Sequence, residues 1–155
     1  MELLYNFFES NLGWGDYVYH RGFILFISLF FSILFLQSGL DKLFSFTSNL
    51  DYFKDHFKNT FFKKQVKFLL IVITFLECVT GFSFLYVLFE VLCLTSLGLL
   101  VNHYLIAIFL CLMTLSCLFL GQRIAQDYAG AVNLGIYYLI ALLGLFLPVI
   151  FLEFL

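Results

Sequence analysis

The sequence predicts an all-α integral membrane protein, an antiparallel four-helix bundle with short interfacial helices. Three observations carry that expectation. The chain of 155 residues is 63% hydrophobic and 12% charged, with a mean hydropathy of +1.05; soluble domains run about 45–50% apolar. Its apolar residues also fall in long blocks. About 20 such residues cross the hydrocarbon core as a helix, so four crossings use roughly 80 and leave room for loops and tails rather than a soluble domain. Finally, seven of the eight Lys and Arg residues lie in two inter-block segments.

Residues 1–20 read as an interfacial N-terminal segment, and residues 21–155 as the bundle. Trp14, Tyr17 and Tyr19 suit the membrane–water boundary, where amphipathic rings accumulate. Gly13 and Gly15 should break any helix there. The basic n-region and apolar core of a secretory signal are missing.

The first span is expected at about 21–43. Gly22 to Leu40 holds no charge and 13 Leu, Ile, Phe or Val residues, each favouring insertion by about 0.3–0.6 kcal/mol. Gln37, Ser38, Gly39, Asp41 and Lys42 mark its exit. Next comes an amphipathic helix at about 49–60. Ser48 and Asp51 fit a capping box. Leu50, Phe53, Phe57 and Phe61 recur at helical spacing, so the Phe face should lie on the membrane with Lys54 and Lys58 above it. The second span is expected at about 67–95, with the turn that follows placed between Ser96 and His103. The third and fourth spans are expected at about 102–121 and 129–152. Lys42, Lys54, Lys58, Lys63, Lys64 and Lys67 occupy one connection and Arg123 another. The positive-inside rule assigns both to the cytoplasm and both termini to the far side.

Lipid gives helices no hydrophobic reason to associate, so small and polar residues should face inward. Each span carries such a stripe: Ser28, Ser32, Leu36 and Gly39; Thr74, Glu77, Cys78 and Gly81; His103, Ala107, Cys111, Thr114, Cys117 and Gly121; Gly130, Asn133, Tyr137, Ala141, Gly144 and Pro148. Glu77 stands apart. It lies ten residues past Lys67, roughly 15 Å deep. The block 68–89 holds 15 Leu, Ile, Phe or Val residues, worth about −6 kcal/mol, and a central acid returns roughly 3 kcal/mol of it. An intramembrane acid at that cost is a functional-site candidate. By depth, Gln37, Glu77, Thr114, Asn133 and Tyr137 should line one polar cleft, with Lys42, Arg123 and Asp127 at its mouth. A hydrogen-bond network that locks the bundle would need the same residues. In the turn GQRIAQDYAG, Arg123 and Asp127 are expected to pair.

Other chemistry is not indicated. A net charge of −2 marks no nucleic-acid partner. His20, His56 and His103 have no metal-ligand spacing, so no metal is expected. No phosphate loop or nucleophile elbow is present. Cys78, Cys93, Cys111 and Cys117 form no CxxC pair and read as apolar thiols.

FLQSGLDKLFSF at the end of span one and GQRIAQDYAGAVNL between spans three and four resemble the DoxX family of small bacterial membrane proteins. Arg21 and the element Glu77-x-x-x-Gly81 fit the same resemblance. It implies a four-helix protein of the bacterial inner membrane, serving as an accessory subunit of a quinone- or thiol-linked redox system, with the cofactor left open, quinone being the candidate, and other membrane proteins as partners. The alternative is a non-catalytic scaffold or assembly subunit of a larger membrane complex.

Overall fold

The computed structural model describes residues 2, 3, 6, 7, 10 and 18–153, with side-chain surroundings through residue 146. The expected lead-in around Trp14 and Tyr17, and the side chain of Pro148, lie outside the described residues. The described chain forms α1 (Val18–Phe44), α2 (Phe46–His56), a 3-10 turn (Phe61–Lys64), α3 (Val66–Leu92), α4 (Leu97–Ile124) and α5 (Tyr128–Glu153), with no strand among the described residues. Helices α1, α3, α4 and α5 are each long and apolar enough to cross a membrane. The protein is a multi-pass membrane protein. At 27 residues, α1 and α3 are roughly 40 Å long. They exceed the ~30 Å hydrocarbon layer, so their polar ends reach the interface.

Consecutive spans pack side by side and run antiparallel. Lys42 meets Glu77 near one end of the α1–α3 pair, and Arg21 reaches Thr95 at the other. The α1–α3 seam is the most intimate in the bundle. A Cβ on Gly39 would stand 2.8 Å from Cys78 Sγ and 3.1 Å from the Cys78 backbone nitrogen; one on Gly81 would stand 2.9 Å from the Leu36 nitrogen. Only glycine permits this approach, which supplies the close packing that holds helices together in lipid. Above the seam, Phe31 stacks on Phe84 at 5.3 Å and on Phe35 at 6.1 Å between ring centroids. Tyr104, Ile108 and Leu115 of α4 complete the core. Thr80 and Thr114 share a buried hydrogen bond of 2.9 Å across α3 and α4. The Tyr104 hydroxyl donates to the Gly144 carbonyl at 2.8 Å and fastens α5. Between α1 and α5 the contact is slighter, with Phe30 and Tyr137 rings 6.0 Å apart.

Three local expectations need correction. The reversal between the second and third spans falls at residues 93–96, ahead of the expected window. Its signal is hidden, because a non-glycine residue, Leu94, takes the left-handed conformation (φ 55°). The Thr95 N–H then bonds back to the Glu90 carbonyl at 3.2 Å, a Schellman closure. Gln126 (φ 63°) closes α4 in the same way, with the Asp127 N–H bonded to the Gln122 carbonyl at 2.9 Å.

The second correction concerns α2. It starts at Phe46 after Ser45, with no side-chain cap, so Ser48 lies inside the helix and makes no capping box. Asp51 pairs instead with Lys54 at 3.0 Å, and Asp55 with Lys58 at 2.9 Å. Such exposed pairs contribute little. The third is the direction of the aromatic face. Phe53 and Phe57 turn in over the end of the bundle, Phe62 joins them, and Phe61 is exposed. His56 Nε2 lies 3.3 Å from Gln122 Oε1 and ties this cover to α4.

Candidate functional site

Beneath the α2 cover lies a cavity of about 560 Å³, walled by all four spans. Its walls are mostly Leu, Ile, Val and Phe, and Lys42 and Glu77 are the charged lining groups among the described residues. Helical geometry brings these two together. Lys42 projects from the last turn of α1, and Glu77 faces it across the glycine seam, since the Gly39 Cβ position is 3.3 Å from Glu77 Cβ. Lys42 Nζ donates to Glu77 Oε1 at 3.0 Å, to Ser38 Oγ at 2.7 Å and to the Ser38 carbonyl at 3.2 Å. The Ser38 hydroxyl in turn donates to Glu77 Oε1 at 2.9 Å. Glu77 Oε2 lies 2.9 Å from Nζ as a charge contact and accepts no hydrogen bond. The side chains of Lys42 and Glu77 are 11% and 2% exposed. A buried carboxylate is tolerable only when paired and hydrogen-bonded, and this cluster meets both conditions.

Of the eight residues expected at a cleft, Lys42, Glu77, Asn133 and Tyr137 line the cavity. The other four do not. Gln37 is exposed on the outer side of α1, and its inward place belongs to Ser38. Successive helical residues differ by about 100°, so Ser38 and Lys42, four apart, share a face that Gln37 cannot join. Thr114 is buried but spends its hydroxyl on Thr80 and on the Leu110 carbonyl. Arg123 and Asp127 do not pair. The Arg123 guanidinium sits 4.7 Å from the Tyr128 ring centroid, a cation–π contact. Asp127 Oδ1 accepts the Gly130 N–H at 2.9 Å and so caps α5. The turn gives Gly121, Gln122 and Gly130 to the cavity wall, while its charged residues cap and brace the helices.

Sequence reasoning missed two further polar contacts. Arg21 Nη2 donates 2.7 Å to the Thr95 carbonyl and so braces the α3–α4 turn from α1. Glu90 and His103 join across that same turn. Neither has a signal in local spacing; the Ser38–Lys42 contact does, since residues four apart share a helix face. All four cysteines are free. No known protein family, curated protein or solved structure matches this chain.

Proposed function

We propose that the protein is an accessory membrane subunit of a quinone- or thiol-linked redox system, akin to the DoxX proteins it resembles, and that its cavity holds a quinone head group. The observation behind this reading is one cavity that offers an apolar enclosure with an acceptor and donors together. A volume of about 560 Å³ suits a small organic ligand. Glu77 lines the cavity and its buried Oε2 has no hydrogen-bond donor, so a rotation of the carboxyl toward the cavity would let it accept from a ligand hydroxyl. Tyr137 and Asn133, both cavity-lining residues, carry the hydroxyl and amide that would donate to a ligand carbonyl. Phe53, Phe57 and Phe62 of the cover supply flat surfaces for a ring. In this reading Glu77 also carries a proton, with Lys42 and Ser38 orienting it.

The basic end of the bundle, with Lys42, the α2 lysines and Arg123, faces the cytoplasm of a bacterial inner membrane in the same proposal. Titration of detergent-purified protein with a short-chain quinone, followed by intrinsic fluorescence, tests it. Tyr137→Phe should weaken binding about fivefold to tenfold, one neutral hydrogen bond. The double variant Lys42→Met with Glu77→Leu should remove saturable binding. Unchanged affinity in that double variant would refute the proposal.

A further inference from the structure

A second polar cluster sits at the opposite end of the bundle, and the cavity does not use it. Glu90, two residues before the end of α3, is buried at 5% exposure. Its two oxygens lie 2.8 and 3.0 Å from His103 Nδ1. With Glu90 as the carboxylate, Nδ1 carries the proton; in the neutral imidazole Nε2 is then an acceptor, with no partner among the described residues. The imidazole also meets the Tyr86 ring edge-on at 5.5 Å.

The His103 member of this pair lines a groove of about 480 Å³ between the outer faces of α3 and α4, together with Phe75, Phe82, Tyr86 and Ile106 among others. Phe75, Phe82, Tyr86 and Ile106 are each more than half exposed, so entry is from lipid. Six residues separate His103 from the start of α4, which puts it roughly 9 Å below that end. Phe75 lies fifteen residues from Glu90 along α3, roughly 22 Å toward the other face.

The geometry points to a binding site for a lipid-soluble hydroquinone or phenol. Its hydroxyl donates to His103 Nε2, its ring lies along Tyr86 and Phe82, and its tail follows α3 toward Phe75. Charge selects this class over anionic lipid. No Lys or Arg lines the groove among the described residues, and the Glu90 carboxylate stands directly behind the imidazole, so beside the neutral ring a phosphate or carboxylate head group would meet repulsion without a counter-charge. A neutral hydroxyl finds an oriented acceptor. Ser83 does not compete, because its hydroxyl is committed to the Val79 carbonyl at 2.8 Å.

The test compares 4-hexylphenol with its O-methyl ether, which differs only in the donor. Binding to detergent-purified protein is measured by saturation-transfer NMR and calorimetry. The phenol should bind about tenfold tighter than the ether, equivalent to about 1.4 kcal/mol. Glu90→Leu with His103→Phe and Tyr86→Phe, which removes the polar partners together, including the Tyr86 hydroxyl that meets Glu90, should bring the two ligands to equal affinity. Ile106→Trp fills the groove while leaving the polar groups in place and should weaken both ligands, so the inference remains testable if that multiple variant does not fold. The phenol preference should survive Lys42→Met with Glu77→Leu. Equal affinities in the wild type, a preference that persists without His103, or one lost only with the cavity variant would each overturn the assignment.

Discussion

Replacing Lys42 with Met should destabilise the bundle by about 3–5 kcal/mol, the usual cost of removing one partner from a buried ion pair. Its magnitude follows from what each residue would keep. Glu77, 2% exposed, would retain the Ser38 hydroxyl as its one donor, leaving a carboxylate in an apolar wall. Glu77→Gln should cost less, about 1.5–3 kcal/mol, the loss of a charge-assisted hydrogen bond. The ammonium would still have Ser38 Oγ at 2.7 Å and the Ser38 carbonyl at 3.2 Å. Lys42→Met combined with Glu77→Leu should return close to wild-type stability, because apolar replacement of a whole buried pair is often neutral or stabilising. Ser38 can then turn its hydroxyl to the carbonyl one helical turn back. Equilibrium unfolding in mixed micelles, read by far-ultraviolet circular dichroism, supplies the double-mutant cycle. Additive losses would mean that the two charges do not meet, and the account of the cavity wall would fall with them.

Other consequences are smaller or more local. Gly81→Val drives methyl groups into the Leu36 backbone and should cost about 1–3 kcal/mol from overpacking, or prevent folding, as judged by the same unfolding curve. Gln126→Gly removes a left-handed strain of about 1–2 kcal/mol but returns about 0.4–1 kcal/mol to the unfolded chain; the net should be a modest gain in stability, with no change in ligand binding. Thr80→Val and Thr114→Val should couple by about 0.6 kcal/mol in a double-mutant cycle, the average for hydrogen bonds within membranes. Arg21→Met loses the brace on the Thr95 carbonyl and should speed amide exchange at residues 93–96 while leaving the distal α1–α3 seam protected.

Local properties were legible in the primary structure because they depend on residues close in sequence. Hydropathy summed over a window sets where the chain must be helical and buried in lipid, and the clustering of lysines marks one end of the bundle. Rotation about each helix axis was partly legible: Ser38 and Lys42 share a face by spacing alone, and that spacing already excludes Gln37. The α3–α4 turn was not legible, since Leu94 adopts a glycine-like conformation without glycine. Nor were the roles of Asp127 as a cap and Arg123 as a partner of Tyr128. Opposite charges four residues apart suit an ion pair equally well, and the left-handed residue between them decides the outcome.

By itself, then, the sequence determined the solvent, the crossings and the burial of one acid. Tertiary structure alone decided which groups meet that acid and that a second acid, Glu90, is held by a histidine thirteen positions away. The physical reason is that insertion energy adds residue by residue, whereas pairing depends on helix register. Register is set here by backbone contact at Gly39 and Gly81 and by two turns closed through non-glycine residues.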